Sequence, residues 1–273
     1  MNSRLQEILS QFKPYPIRIP VNKYKLENTV EAFFSLMFPV GEEFDRVSSL
    51  KKLDDVAHVL LDNVAALTSP EFAENVITLF FERLPAVLEQ LLDDANTYLQ
   101  SDPAAKSLEE VLITYPGFFA LSVHRIAHEL HKLDIPVIPR LFSEYAHAKV
   151  GIDIHPGAKI GKNFFMDHGT GIVIGETTEI GDNVKIYQGV TLGAMYLEKK
   201  LSDVKRHPTV ENNVIIYSGA TILGGETVIG HHSVIGGGAW LTRSVIPYSL
   251  VYNKVDVKVR TVKDFEEPLD FVI

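Results

Sequence analysis

Cysteine is absent from the 273 residues, so disulfides, thiolate metal sites and a thiol nucleophile are excluded. Long apolar runs are missing too: nowhere do about eighteen such residues follow one another, as a membrane span requires. The opening stretch, MNSRLQEILSQFKPYPIRIP, places no apolar core behind a basic start, as a secretory leader would. These absences predict a cytoplasmic protein. Basic charge is also scarce, with 26 Lys and Arg against 35 Asp and Glu and a formal net charge of -9. That balance argues against nucleic acid or an anionic membrane as partner, because both select basic surfaces. An anionic ligand must then meet a local basic cluster.

What is present is an ordinary soluble composition, 46% hydrophobic and 22% charged, at a length that allows one long domain or two. From Ile152 to Val245 a single apolar residue recurs about every six positions: Ile154, Ile160, Met166 and Ile172, then after a two-residue slip Ile174, Ile180, Ile186 and Leu192. The period resumes at Val210, Ile216, Ile222 and Val228, slips by one to Ile229, and continues through Ile235 and Leu241. Such hexads, with Gly following in IGKNFF, IGETTE, IGDNVK and IGGGAW, predict a parallel β-helix in which each hexad supplies a short strand and a turn. One coil alone leaves its apolar face open, so coils must stack. The large lapse, AMYLEKKLSDVKRHPT from Ala194 to Thr209, reads as a charged loop extruded from the stack.

Before Gly151 the period is helical. Leu84, Val87, Leu88, Leu91, Leu92, Ala95 and Leu99 form one apolar stripe, and Ser69-Pro70 supplies an N-cap followed by proline at the first helical position. Pro116-Gly117 is expected to break the chain before a helix whose inward face is Phe119, Val123, Ile126, Ala127 and Leu130, and a last helix is expected between Pro136 and about Ala148. The predicted fold class is α + β: an all-helical domain over 1–150, a β-helix over 151–250 and a tail over 251–273.

In the coil region the chemistry-bearing groups are Asp153 and His155 in GIDIHPGAKIG, Asp167 and His168 in FFMDHGTGIVIGE, and Arg206-His207-Pro208 closing the extruded loop. A neutral imidazole, with a reference pKa of about 6.5, suits general-base work near neutrality, and a carboxylate on its other nitrogen fixes the tautomer. With coils of about eighteen residues, Asp153 and His168 fall on neighbouring layers. His124, His128 and His131 share one helix face and offer a metal site, against the simpler reading of a polar helix face or subunit contact. His155, His231 and His232 read as turn residues.

The run GIDIHPGAKIGKNFFMDHGTGIVIGETTEIGDNVKIYQGVTLG, with RHPTVENNVIIYSGATILGG after the loop, resembles the hexapeptide-repeat acyltransferases and, within them, the serine O-acetyltransferases. SDPAAKSLEEVLITYPGFFALSVHRIAHEL resembles that family's helical domain, so the likeness covers roughly residues 100 to 245. The resemblance implies a left-handed β-helix, a handedness that no spacing reveals. It implies acetyl transfer from acetyl-CoA to the hydroxyl of L-serine, giving O-acetylserine on the route to cysteine. His168 would be the general base and Asp153 its orienting partner; Asp102 and Asp167 would hold the substrate ammonium; Arg206 would grip the carboxylate, with His207 helping to position it. Gly193, Ser218, Gly219, Gly237 and Gly238 would lie along acetyl-CoA, with Lys254, Lys258 and Arg260 as candidates for its phosphates. No metal is expected. The family's Gly-x-Pro-Ala-Arg ending is not found in LTRSVIPYSLVYNKVDVKVR.

The resemblance also implies a homotrimer, or two trimers paired through the helices, and a C-terminal Ile273 that enters O-acetylserine sulfhydrylase. Three rival readings stand beside it: acetylation of another acceptor such as an amino sugar, a metal-dependent β-helix hydratase, and a catalytically idle partner-binding protein.

Overall fold

The computed structural model describes residues 3–11, 19–39, 45–195 and 204–254. The described residues open with seven helices: α1 (Ser3–Gln11), α2 (Lys23–Met37), α3 (Arg46–Leu67), α4 (Pro70–Ser101), α5 (Leu108–Thr114), α6 (Pro116–His131) and α7 (Ile138–Val150). Ser69 caps α4 as its type requires, its Oγ accepting the Phe72 N–H at 3.2 Å, with Pro70 in the first turn. Along α4 the residues Val87, Leu91 and Ala95 are buried, whereas Leu92 turns outward. The break at Pro116-Gly117 falls one residue earlier than expected, since both residues lie in the first turn of α6 and Tyr115 is its cap. Gly117 is needed there because a β-carbon would come within 2.6 Å of the Met166 carbonyl. Helix α6 is central: besides the expected face, Leu121, Ser122, His124 and Arg125 are also buried.

Gly151 ends α7 with φ 70, a left-handed conformation that glycine adopts without strain, and turns the chain into the strands. Three parallel sheets follow. The first is β1 (Asp153–Ile154), β4 (Val173–Ile174), β7 (Thr191–Gly193), β10 (Thr221–Leu223) and β13 (Trp240–Leu241). The second stacks β2 (Lys159–Ile160), β5 (Glu179–Ile180), β8 (Thr209–Val210) and β11 (Val228–Ile229). The third stacks β3 (Phe165–Asp167), β6 (Lys185–Tyr187), β9 (Ile215–Ile216), β12 (Val234–Ile235) and β14 (Leu250–Val251). The chain visits the sheets in that cyclic order, which makes a three-sided solenoid.

The hexad residues form three inward columns by strand register. Ile154, Ile174, Leu192, Ile222 and Leu241 align in the first sheet, Ile160, Ile180, Val210 and Ile229 in the second, and Met166, Ile186, Ile216, Ile235 and Val251 in the third. Each fully buried aliphatic side chain contributes about 1.5–3 kcal/mol, so the columns are what hold the stack together. The corner between the second and third sheets is turned by Asn163, Asn183 and Asn213, all at φ 56 to 59, and their amides bond up the column at 2.9 and 3.1 Å.

Coil length departs most from the expected eighteen at two places, while the last coils run to nineteen between Thr209 and Val228 and between Thr221 and Trp240, and to sixteen between Val234 and Leu250. Asp153 pairs with Val173, twenty residues on, because the two-residue slip sits in the corner between β3 and β4. Thr191 pairs with Thr221, thirty residues on, because the chain leaves the stack after β7 and re-enters at β8.

Candidate active site

The corner between the third and first sheets carries His168, and the two extra residues explain its position. They add a tight turn in which Gly169 N–H donates to the Asp167 carbonyl at 2.6 Å and Ile172 N–H to the Gly169 carbonyl at 3.0 Å. His168 itself has φ 56, Gly169 and Gly171 both φ 80, and the imidazole stands 72% exposed. A β-carbon at Gly169 would collide with Ile152, so the turn tolerates only glycine. The His168 Nδ1 lies 3.8 Å from an Asp167 carboxylate oxygen.

Helices α4 and α5 bring further groups to this corner. Asp102 caps the end of α4 and accepts hydrogen bonds from the Tyr115 hydroxyl at 2.5 Å and the Ala104 N–H at 2.8 Å. Those bonds, with the His168 ring nearby, hold its carboxyl below the usual range. Burial and the Asp102 bond together push the Tyr115 phenol up to about 12. Asp167 lies close enough to add to the rise at both Tyr115 and Tyr187. Asp102, Asp167 and His168 therefore gather at one corner.

Asp153 belongs to the same edge of the first sheet, one layer earlier. Its carboxylate lies within 4.8 Å of Glu144 and His147 on α7, the one metal-competent group among the described residues, and no hydrogen bond or ion pair joins it to His168 there. The α6 histidines form no such group. The His128 Nδ1 bonds the Pro156 carbonyl at 2.8 Å, His131 packs edge-on to His155 with ring centres 6.2 Å apart, and His124 is buried with Nδ1 unpaired.

Arg206 and His207 come back into the stack at a different corner, between the first and second sheets, where residues 175–177 of the preceding coil receive them. The Arg206 guanidinium pairs with Glu176. The Thr177 hydroxyl accepts the Arg206 N–H at 2.9 Å and the His207 N–H at 3.1 Å, and Lys205 Nζ donates to the Thr177 carbonyl at 3.0 Å. His207 is 8% exposed and lies on Gly175, where any β-carbon would enter its ring. Burial and the neighbouring Arg206 push its pKa down to about 4. His155, at the same corner two coils before His207, is likewise lowered to about 4 by burial, and with His131 and Arg140 it lines a cavity of about 360 Å³.

Among the acetyl-CoA candidates, Gly219 and Gly238 have φ 69 and 66 and stack in the His168 corner with Gly171 and Gly189, Gly238 N–H donating to the Ser218 carbonyl at 2.9 Å. Gly237 packs on the same carbonyl. Gly193 does not join them: it ends β7, the central strand of the first sheet, on the side of the corner with the second sheet, beside Leu223. Sequence reasoning passed over Gly171 and Gly189, although the period-matched Gly-Ile, Gly-Val, Gly-Ala and Gly-Ala pairs at 171, 189, 219 and 238 mark the column. It also passed over Gly175, Glu176 and Thr177. Lys254 is exposed beyond β14, and Lys258, Arg260 and Ile273 lie outside the described residues.

A hexad-built parallel solenoid behind a helical domain, with His, Asp and Arg at its corners, is the architecture of a hexapeptide-repeat acyltransferase. No protein-family model matches the chain. It is 48% identical over 180 residues to the plasmid serine acetyltransferase of Synechococcus elongatus, covering 64% of this chain and 56% of that one. It is 55% identical over 122 residues to the serine acetyltransferase of Helicobacter pylori, covering 45% and 69%. The chain thus spans little more than half the length of the first of these relatives. Among solved structures, serine acetyltransferase 1 of Entamoeba histolytica is 35% identical over 92% of this chain and 96% of that one, with a TM-score of 0.76. Isoform 3 from the same organism, in complex with cysteine, is 30% identical over 96% and 93%, with a TM-score of 0.80. A serine acetyltransferase in complex with CoA is 27% identical over 84% and 92%, with a TM-score of 0.59. The chain belongs to the serine acetyltransferase family. Among the described residues, no helix is long and apolar enough to cross a membrane.

Proposed function

We propose that the protein transfers the acetyl group of acetyl-CoA to the hydroxyl of L-serine, giving O-acetyl-L-serine and CoA. The observation that carries this reading is the meeting of Asp102, Asp167 and His168 at the corner lined by the Gly171, Gly189, Gly219 and Gly238 column. An amino acid needs an anionic pocket for its ammonium beside a base for its hydroxyl, and a long thioester needs open backbone to lie on. The solved relatives in complex with cysteine and with CoA support an amino-acid site and a CoA site here.

In this mechanism Asp102 and Asp167 hold the ammonium group and His168 accepts the hydroxyl proton as the oxygen attacks the thioester carbonyl. The C–S bond then breaks, and the imidazolium returns the proton to the CoA thiolate. Asp153 steadies the other ring nitrogen in the assembled enzyme. Arg206 grips the carboxylate through its planar fork, with His207 beside it. Acetyl-CoA runs along Ser218, Gly219, Gly237 and Gly238, with Lys254, Lys258 and Arg260 as the cations for its phosphates.

Arg206 and His168 stand at different corners of one solenoid. The site is therefore completed when the first-to-second-sheet corner of one copy meets the His168 corner of the next, which suits a cyclic trimer. We further propose Ile273 as the contact for O-acetylserine sulfhydrylase and a cytoplasmic location, on the sequence alone; removing Val272 and Ile273 should abolish sulfhydrylase binding. The deciding experiment for the reaction is thiol release from acetyl-CoA with and without L-serine. Release that requires L-serine and ignores amino sugars supports the reading, and release driven by a sugar overturns it.

A further inference from the structure

Resting on the reading that His207 touches the acceptor amino acid, we propose that Thr177 is a positioning residue that presents His207 to the acceptor as an Nε2–H hydrogen-bond donor. Two contacts fix the ring. The Thr177 backbone N–H lies 3.1 Å from His207 Nδ1, and the Thr177 Oγ lies 2.9 Å from the same nitrogen. A backbone N–H only donates, so Nδ1 must accept, and the proton of the neutral ring is left on Nε2. The hydroxyl closes the arrangement: its two lone pairs take the N–H groups of Arg206 and His207, which leaves its own hydrogen for Nδ1.

The other nitrogen is open. His207 Nε2 makes no hydrogen bond among the described residues, yet it is not one of the buried unpaired atoms, so it keeps contact with solvent. The ring is held flat on Gly175, and the backbone entering it is held by the hydroxyl. Residues 175–177 thus divide the work, with Gly175 making room for the imidazole, Glu176 holding the Arg206 guanidinium and Thr177 setting the backbone and the tautomer. Because the partners lie thirty residues apart, this contact also fixes where the chain rejoins the stack. A threonine keeps a hydroxyl and a stiff χ1 there; valine keeps only the shape.

The test uses the full-length protein and its Thr177→Val, Thr177→Ser and Gly175→Ala variants, each checked for cooperative thermal unfolding. Nitrogen-15 NMR of histidine-labelled protein, with the His207 signals assigned by their loss in His207→Gln, should show one Nε2–H tautomer in the wild type and in Thr177→Ser. In Thr177→Val and Gly175→Ala the tautomers should mix. Steady-state kinetics should show the KM for L-serine raised about 10- to 100-fold in Thr177→Val, the KM for acetyl-CoA unmoved, and recovery in Thr177→Ser. A wild-type His207 carrying its proton on Nδ1, or an unaltered serine KM in Thr177→Val, overturns the proposal. Wild-type protein that holds the Nε2–H tautomer but acetylates no amino acid removes the proposed reaction instead, so the two failures are told apart.

Discussion

Arg125 on α6 donates its Nε–H to the buried carboxylate of Asp94 on α4 at 2.6 Å, and its other two nitrogens reach the carbonyls of Ile160 and Gly161 in the first coil at 3.2 and 2.9 Å. Asp94 spends its second oxygen on the Phe164 N–H at 3.1 Å. One ion pair therefore ties two helices to the solenoid. Burial outweighs Arg125 and leaves the Asp94 pKa raised, so the carboxylate depends on every one of these partners. Removing one member of a buried pair costs about 3–5 kcal/mol, because the other charge is stranded. Arg125→Leu should lose that much in urea unfolding, and the double variant Asp94→Asn, Arg125→Leu should recover part of it. Simple additivity of the two single losses would show that the residues do not act as a pair.

The imidazole of His168 is 72% exposed, so little buried surface is lost with it. His168→Ala should leave the unfolding transition in place while lowering turnover about 100- to 10,000-fold, the usual worth of a positioned general base. Thiol release at saturating L-serine and acetyl-CoA measures it. Wild-type turnover in that variant would remove His168 from the chemistry.

Several histidines are kept neutral by burial: His155 and His207 are lowered to about 4, His128 is lowered, and His124 is lowered well below its ordinary value. In the unfolded chain each returns to about 6.5. Between those values the unfolded state binds more protons than the folded one, so stability rises with pH across the window. The contribution is complete above about 6.5 and is lost as the pH falls towards 4. Unfolding at pH 5 should take up about one proton for each of His155 and His207, measured as the slope of unfolding free energy against pH. His207→Gln should lower that slope by its own share, and an unchanged slope would mean that His207 is not held neutral.

How far the sequence carried depended on whether a residue's partner lay within its own period. The three inward columns were legible because stacking requires an apolar residue at each hexad, and the register confirms them from Ile154 to Leu241, except that Ile229 rather than Val228 takes the inward place and Val251 extends the third column past the predicted series. Helix α6 was only half legible: periodicity exposes one face, whereas this helix is covered on nearly all sides, Arg125 included. Asp94 and Arg125 gave no signal, since charged residues on separate helices look like two solvated faces. Asp102 reached the His168 corner only through family likeness, because nothing local says where the end of α4 will point. Thr177 was missed for a related reason, its thirty-residue contact crossing a loop whose length follows no period.

The family resemblance gives Gly193 and Gly219 the same role in binding acetyl-CoA, but the solenoid separates them. At Gly219, φ is 69 and the nearest atom to an added β-carbon is the Gly238 nitrogen at 4.0 Å, so a methyl would stand in open space over the glycine column. The cost to the fold is backbone strain of about 1–3 kcal/mol. At Gly193 the added carbon would meet Leu223 at 2.9 Å, within the sheet rather than beside the column. Gly219→Ala should therefore fold, bind L-serine as before and raise the KM for acetyl-CoA, whereas Gly193→Ala should lower the unfolding midpoint and leave that KM near its starting value. Initial-rate kinetics with each substrate varied in turn, paired with thermal unfolding, separates the two. A raised acetyl-CoA KM in Gly193→Ala alone would move the cofactor off the His168 corner and onto the corner between the first and second sheets.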